Sequence, residues 1–279
     1  MTIHVVRSGE TLPSIAAYYG VAPAQLGADN AVPADGALAV GQTLVVRFPR
    51  QVHAVQPGET LSSIASAYGV SLRTLWQNNW ALGGGDALAA GEDLVISYFD
   101  EKVGTAAFNG YAYPFIGESL LAAQLPYLTY MTPFTYGIAA DGGLLPLDDG
   151  AMLAAARARG TRPVMHLSTL TESGQFDTRR GATVLTDYGV QDRLIEEVMG
   201  TVRSRGYAGL DVDFEYLPGE LAAAYAAFLG RLQRLLHAQG LFIWAALAPK
   251  TSAAQPGLLY EGHDYAAVGA AVDGVLLMT

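Results

Sequence analysis

The feature that most constrains the fold is an internal repeat, in which residues 3–12 reappear at residues 52–61 with an offset of 49. The correspondence continues beyond these segments and, after one inserted residue in the second copy, resumes where residues 41–46 match residues 91–96. Such self-similarity predicts two copies of one supersecondary unit. About 45 residues is close to the lower limit for independent folding, so the interior of each unit must be almost entirely apolar.

Each copy predicts the order strand, helix, helix, strand, because an alternating segment is followed by two short segments of helical periodicity and a second strand-like run. Thr11 and Thr60 are suited to cap the first helix, and Gly20 and Gly69 are suited to end it. We therefore expect two small α+β modules of βααβ form. They are placed at residues 2–48 and 51–98.

Both copies contain the signature Gly-Glu-Thr-Leu-x-x-Ile-Ala, which resembles that of the LysM family. The resemblance implies binding of glycans that contain N-acetylglucosamine, in peptidoglycan or chitin, in a groove between the loop after the first strand and the loop after the second helix. A simpler interpretation is that Gly-Glu-Thr only builds the turn from strand to helix. The residues that the resemblance places in the two grooves are Gly9, Glu10, Thr11, Asn30, Gly58, Glu59, Thr60 and Asn79.

From residue 100 onward, apolar β-rich runs alternate with helix-like segments. This alternation implies parallel strands, and buried strands of this kind suit an α/β TIM-type (β/α)8 barrel. The predicted strands are 105–111, 127–134, 163–167, 209–214, 242–248 and 274–278, and the predicted helices are 150–159, 191–205 and 219–239. Since a complete barrel takes roughly 250 residues, we expect residues 100–279 to form an incomplete barrel of about six strands, as in a fragment of a longer protein.

One predicted strand carries three acidic residues at alternate positions, Asp211, Asp213 and Glu215. Residues two apart on a strand share a face, roughly 6.5–7 Å from each other. Burying unpaired charge is unfavourable, so three acids facing a barrel interior indicate a function rather than core packing. Neighbouring carboxylates raise one another's pKa, which keeps one of them protonated as an acid. The alternatives are a solvated acidic face on an edge strand and a divalent-metal site.

Residues 208–215 resemble the signature Asp-Gly-x-Asp-x-Asp-x-Glu of family 18 glycoside hydrolases, which include chitinases and spore-cortex glucosaminidases. The resemblance implies that Glu215 is the proton donor, that Asp213 orients the substrate's acetamido group, and that Asp211 shares a proton with Asp213. Ala208 departs from the pattern, because the family usually has its first Asp there. That change weakens the internal hydrogen-bond relay and leaves the three acids in place.

The same resemblance implies a substrate-assisted retaining mechanism, in which the substrate's own 2-acetamido oxygen is the nucleophile and no metal or organic cofactor takes part. Two further segments resemble the second and sixth strands of LysM-containing enzymes of bacterial spores, and they place Tyr136 and Met278 at the substrate. The predicted activity is hydrolysis of β-1,4 N-acetylglucosamine linkages in peptidoglycan, such as spore cortex, or in chitin. The alternatives are a lectin-like wall-binding protein with an inactive barrel and a structural spore-coat component.

Composition limits the partners. The net charge of −10 disfavours nucleic acid, and the absence of cysteine excludes disulfides and thiolate chemistry. Neither a secretion signal nor a membrane-spanning run is visible in the sequence. We therefore expect a monomer that binds glycan chains and no membrane, located at the spore or cell wall, or otherwise in the cytoplasm.

Several aromatic residues have open roles. His4 and His53 occupy equivalent repeat positions, and we expect them to pack a strand rather than bind metal. His166 follows two apolar residues on the third barrel strand and is a candidate for the barrel interior. Trp76 and Trp80 occur only in the second copy, where they form either a sugar platform or local packing.

Overall fold

The computed structural model describes residues 1–33, 36–99 and 104–279. The chain divides into two compact units. The first contains Met1–Ala107 and Gly117–Tyr127, and the second contains Phe108–Ile116 and Leu128–Thr279. Asp100, the residue at which the barrel is predicted to begin, lies outside the described residues.

The first copy of the repeat has the predicted order of elements. It consists of β1 (Thr2–Val5), α1 (Leu12–Tyr19), α2 (Pro23–Asp29) and β2 (Thr43–Val46), with β1 and β2 antiparallel. The Thr11 side chain accepts a hydrogen bond from the Ser14 backbone N–H, and the Ser14 hydroxyl oxygen accepts one from the Thr11 backbone N–H. This reciprocal pair is a capping box at the start of α1. Gly20 ends α1 at φ 68°, a left-handed conformation that glycine adopts without strain.

The second copy repeats this architecture. It consists of β3 (Pro49–Ala54), α3 (Leu61–Tyr68), α4 (Leu72–Asn78), a 3₁₀ turn (Trp80–Leu82) and β4 (Asp93–Tyr98), with β3 and β4 antiparallel. Each copy buries its own cluster of hydrophobic side chains, so each has a separate core. The first unit also includes α5 (Glu118–Gln124) and a 3₁₀ turn (Leu125–Tyr127).

The second unit alternates strands and helices, as the sequence predicts. Its strands are β5 (Asn109–Ala112), β6 (Tyr130–Pro133), β7 (Gly137–Ile138), β8 (Leu144–Leu145), β9 (Arg162–Pro163), β10 (Met165–Ser168), β11 (Gly209–Asp213), β12 (Phe242–Leu247) and β13 (Gly274–Leu277). Its helices are α6 (Gly150–Ala158), α7 (Thr178–Thr186), α8 (Tyr188–Arg205), α9 (Ala222–His237), α10 (Leu258–Glu261) and α11 (Tyr265–Ala271), with a 3₁₀ turn (Gly219–Leu221) before α9.

The strands of this unit form a parallel, barrel-like arc. One sheet has the order β5-β6-β9 and the other the order β10-β11-β12-β13, and Val164 alone separates β9 from β10. Six successive strand positions therefore follow chain order, with a small antiparallel hairpin of β7 and β8 beside them. Within the described residues, β5 pairs with β6 alone and β13 with β12 alone, so the structure does not show barrel closure.

The outward face of β11 joins the arc to its helices. Leu210, Val212 and Phe214 are fully buried, and the Phe214 ring stacks on Tyr225 and Phe228 of α9 at centroid separations of 5.7 and 5.5 Å. Alternation on a strand then directs the residues between them to the opposite face. This packing fixes β11 so that its acidic residues face the interior of the arc.

Candidate active site

The acids of β11 lie at the centre of the second unit. Asp211 is 0% exposed and Asp213 is 3% exposed, while Glu215 follows the end of the strand and is partly exposed. In the parallel register, Asp211 lies opposite His166 of β10 and Asp213 lies opposite Ser168. The two aspartates are thus deep in the arc, and the glutamate is nearer to solvent.

The partners of the two buried carboxyl groups come from other strands. The Tyr111 hydroxyl, from β5, donates a hydrogen bond to Asp211 Oδ2. His166 Nε2 lies 3.8 Å from Asp211 Oδ2 and 3.7 Å from Asp213 Oδ2. Among the residues that the structure describes, no donor reaches the Oδ1 atom of either aspartate. The hydrogen bonds to the two aspartates are therefore too few to stabilise two buried negative charges.

The pKa values follow from this environment. Burial raises the pKa of Asp213, and the nearby negative charges of Glu215 and Asp211 raise it further. Burial also raises the pKa of Asp211, although the hydrogen bond from Tyr111 opposes that change. Burial raises the pKa of Glu215 as well. The aspartate pair consequently titrates as a unit that retains a proton near neutral pH, beside a glutamate suited to proton donation.

A cavity of about 290 Å³ is lined by Asp213, whereas Asp211 and Glu215 are not among its lining residues. Its walls are mostly aromatic and aliphatic, with Asp213 and His166 as its charged or titratable members besides tyrosine. The lining residues are Tyr111, Ala112, Tyr113, Phe134, His166, Asp213, Ala246, Leu276 and Met278. An apolar concavity with few polar groups is typical of a small-molecule or sugar site.

Met278 lines the cavity and Tyr136 does not. A substrate contact for Met278 remains a prediction. Tyr136 is 1% exposed, and its hydroxyl donates to Asp149 Oδ2 at 2.8 Å, an acceptor that it shares with Tyr207. A buried hydroxyl needs a partner, and Asp149 supplies one away from the cavity. The structure therefore places Tyr136 away from the cavity that Asp213 lines, which argues against the predicted substrate contact.

Tyr111, Tyr113 and Phe134 line the cavity and were missed by the sequence reasoning. Tyr111 lies on β5 and Tyr113 directly follows it. Because residues two apart on a strand share a face, the sequence contained a signal that both tyrosines face the interior of the arc. Tyr111 then meets Asp211 although 100 residues separate them in the chain. Local patterns carry no information about that pairing.

In the repeated modules, the glutamate of each signature closes a turn. Glu10 Oε2 accepts from the Arg7 backbone at 2.7 Å and contacts His4 Nε2 at 2.8 Å. Glu59 Oε2 has equivalent contacts with the Gln56 backbone and with His53. The backbone hydrogen bond lowers the pKa of each glutamate, with the histidine contact as a second cause. The other ring nitrogen of His4 contacts the Tyr19 hydroxyl of α1, and that of His53 contacts the Tyr68 hydroxyl of α3, as expected for packing residues.

The neighbouring glycine and threonine also belong to these turns. Gly9 and Gly58 have φ of 83° and 87°, where a side chain would be strained. Thr11 and Thr60 each form a capping box with the serine three residues later. The structure thus gives Gly-Glu-Thr a turn-building role in both modules, which is the simpler of the two interpretations. A glycan contact for these residues remains a prediction.

Asn30 and Asn79 hydrogen-bond to the backbone framework of their modules. The Asn79 amide donates to Leu75 O and Val95 O, and its oxygen accepts from Val95 N. Asn30 forms the equivalent three bonds to Leu26 and Val45. Both amide hydrogens are committed to backbone carbonyls, so neither side chain has a donor left for sugar. Asn79 also lines the cavity of about 380 Å³ that contains Trp80, and a glycan contact of these two asparagines remains a prediction.

This role predicts a stability effect. Asn79→Ala removes the acceptor of the Val95 N–H and one donor each from Val95 O and Leu75 O, although Leu75 O keeps its bond from the Asn79 backbone N–H. A buried polar group left without a partner costs about 1–3 kcal/mol. We expect the free energy of unfolding of the first unit to fall by about 2 kcal/mol or more, measured by chemical denaturation. Asn78→Ala is the matched control, because the Asn78 side chain bonds only to Ile96 O and should cost less. Unchanged stability combined with lost glycan binding would support a groove contact for Asn79.

The two tryptophans differ. Trp76 is buried, and its Nε1 donates to Gly85 O at 2.9 Å, so it packs the module. Trp80 is 41% exposed and lines a second cavity, of about 380 Å³, within the first unit. Of the two, Trp80 alone has a ring face available as a sugar platform.

No cluster of three or more histidine, cysteine or acidic side chains in the described ranges has the geometry to hold a metal ion. Among the helices of those ranges, none has both the length and the apolar character needed to cross a membrane.

The chain combines two LysM domains with a barrel-like unit, and it is similar to solved chitinase structures. The LysM domain model matches residues 4–47 and 53–97, which confirms the predicted recognition of both modules. Homology extends over the whole chain to cortical fragment-lytic enzymes. The example from Bacillus subtilis (strain 168) is 36% identical, with 100% of this chain and 65% of the relative covered.

Two solved structures are also similar to the chain. The Bacillus cereus spore cortex-lytic enzyme SleL is 32% identical, with a TM-score of 0.75 over 100% of this chain and 65% of that one. A class V chitinase from Pseudomonas fluorescens Pf-5 is 28% identical, with a TM-score of 0.57 over 62% of this chain and 54% of that one. The chain thus spans 65% of the length of the cortex-lytic relatives it matches.

Proposed function

We propose that the protein is a glycoside hydrolase that cleaves β-1,4 N-acetylglucosamine linkages in peptidoglycan, with spore cortex as the substrate class. The observation that carries the proposal is the buried Asp211–Asp213 pair with the more exposed Glu215, beside a mostly apolar cavity that Asp213 lines. Homology to cortical fragment-lytic enzymes supports the choice of peptidoglycan over chitin.

In the proposed mechanism, Glu215 protonates the glycosidic oxygen, and the carbonyl oxygen of the substrate's acetamido group attacks the anomeric carbon. Asp213 accepts a hydrogen bond from the acetamido N–H and balances the positive charge of the cyclic intermediate, while Asp211 shares its proton. Glu215 then takes a proton from the incoming water. The raised pKa values of all three carboxyl groups are consistent with these roles. No metal or organic cofactor enters any step.

Tyr111 supports this arrangement through its hydrogen bond to Asp211. We expect Tyr111→Phe to lower kcat by about tenfold, because it removes a charge-assisted hydrogen bond worth roughly 1.5–3 kcal/mol. Tyr136→Phe is the matched control, since its hydroxyl bonds to Asp149 away from the cavity. It should change thermal stability and leave kcat and KM unaltered. Equal losses of kcat in both variants would contradict this assignment.

The LysM domains are proposed to hold the enzyme on its polymeric substrate. Two linked sites bind a polymer more tightly than one, because the second binding event is intramolecular. With a net charge of −10, the protein gains no attraction to an anionic wall, so hydrogen bonds and apolar contacts must supply the affinity. We propose modules at residues 2–48 and 51–98, a catalytic region at residues 100–279, a monomeric state and a location at the spore.

A lectin-like protein with an inactive barrel is the second candidate, favoured by the departure at Ala208. One experiment separates the two. The protein is incubated with spore-cortex peptidoglycan and with colloidal chitin, and soluble products are identified by mass. The proposed function predicts fragments with N-acetylglucosamine at the new reducing end, released faster from cortex. Binding to both polymers without any released fragment would favour the lectin-like candidate.

A further inference from the structure

His166 is a buried histidine in direct contact with the aspartate pair. It lies on β10, opposite Asp211 in the register, and is 1% exposed. Its ring lies 4.9 Å from the Phe134 ring and meets the Tyr111 ring edge-on at 5.5 Å. These contacts hold the imidazole in one orientation, with Nε2 directed between the two carboxyl groups.

The other ring nitrogen contacts a threonine hydroxyl. His166 Nδ1 lies 2.6 Å from Thr135 Oγ1, and that hydroxyl also has Tyr136 O at 3.1 Å, Ser168 Oγ at 3.1 Å and His166 O at 3.4 Å within reach as acceptors. When the hydroxyl donates to one of these oxygens, it accepts from Nδ1–H, and Nε2 of the neutral ring has no hydrogen. When it donates to Nδ1, the ring hydrogen is on Nε2. Proton acceptance by His166 requires the first arrangement, in which a bare Nε2 faces Asp211 and Asp213.

The titratable groups around His166 Nε2 are all acidic. The titratable groups that face it are Tyr111 from β5 and the two aspartates of β11, and Glu215 adds negative charge through its effect on Asp213. The remaining cavity walls contribute no lysine or arginine within the described residues. Burial lowers the pKa of His166 to about 3, so the ring is neutral while the pair keeps its proton.

We propose that His166 is a positioning residue that accepts the proton of Asp213 when positive charge forms on the bound sugar. The proposal rests on the proposed function and adds a third proton site to the two carboxyl groups. The geometric basis is the position of one nitrogen 3.7–3.8 Å from Oδ2 of both aspartates. Transfer requires the Asp213 carboxyl to approach by about 0.5–1 Å, to reach hydrogen-bond distance.

The step is balanced. The O–H bond of Asp213 breaks, an N–H bond forms at His166 Nε2, and the net charge of the three groups stays at −1. Asp213 becomes a full carboxylate next to the cationic sugar, which favours the charge-separated state. The imidazolium in turn lies beside two carboxyl groups, and a neighbouring negative charge raises the pKa of a histidine.

The test is nitrogen NMR of the protein with labelled histidine at pH 6. The chain has five histidines, and the His166→Gln variant assigns the signal of His166 by its loss. Spectra are recorded without ligand and with a 2-acetamido iminosugar, whose ring ammonium mimics the developing charge. We expect His166 to be neutral with a bare Nε2 in the free protein and protonated at both nitrogens in the complex. The signals of His4, His53, His237 and His263 should not change.

A neutral His166 in the complex would overturn the proposal while leaving the proposed function intact. Failure of the wild-type protein to bind the iminosugar would remove both. The kinetic counterpart is a fall in kcat of about tenfold in His166→Gln with KM unchanged. His263→Gln is the control for a buried histidine, because its ring nitrogens bond to the backbone of Ala248 and Phe214 and not to the aspartate pair. A wild-type kcat in folded His166→Gln would also overturn the proposal.

Discussion

Glu215→Gln is expected to abolish measurable hydrolysis and to leave binding to insoluble glycan unchanged. An amide keeps the shape of the carboxyl group but cannot donate the proton that the leaving oxygen requires, and general acid catalysis contributes about 10²–10⁴-fold. Glu220→Gln is the matched control, since Glu220 is exposed on the 3₁₀ turn before α9. The comparison is product release from peptidoglycan beside a pull-down with the same polymer. Wild-type turnover in Glu215→Gln would contradict the assigned role.

The same assignment predicts the basic side of the pH profile. Burial raises the pKa of Glu215, so the proton that it donates is retained to higher pH than in an exposed glutamate. Activity should therefore fall as pH rises through that raised pKa, because the ionised form cannot act as the acid. The measurement is kcat/KM against pH for the wild-type protein.

Asp213→Asn is expected to lower kcat by about 10²-fold or more. A neutral amide stabilises the positive intermediate less well than a carboxylate, and removing one such group typically has this magnitude. Asp211→Asn is the matched comparison and should cost less, because Asp211 acts on the substrate through Asp213. Turnover of a soluble N-acetylglucosamine oligomer measures both variants. A larger loss in Asp211→Asn than in Asp213→Asn would reverse the assignment of the two residues.

The parts of the molecule that depend on local pattern were accessible from the sequence. Thr11 and Gly20 mark the ends of α1, and their counterparts mark α3, because capping and left-handed turns are determined by nearby residues. The acids of β11 share a face because strand alternation is a property of the backbone. The predicted helix at 219–239 is present as a 3₁₀ turn followed by α9.

The parts that depend on distant contacts were not accessible. Asn79 bonds to Val95, which is 16 residues away, and Tyr136 bonds to Asp149 on the far side of a hairpin. The second barrel strand begins at residue 130 instead of 127, because Pro126 lies in a 3₁₀ turn. Helix α7 was not predicted, since it contains Gly181 and buries a narrow face. In each case the deciding partner or geometry arises only in the folded chain.

The most direct test of the account compares an N-acetylated substrate with its deacetylated counterpart, in the presence and absence of a thiazoline that mimics the cyclic intermediate. If the acetamido group is the nucleophile, the deacetylated substrate should not be cleaved. The thiazoline should inhibit competitively, because it copies a charge distribution close to the transition state. Cleavage of both substrates at comparable rates, without inhibition by the thiazoline, would contradict substrate-assisted catalysis even if Glu215 proved essential.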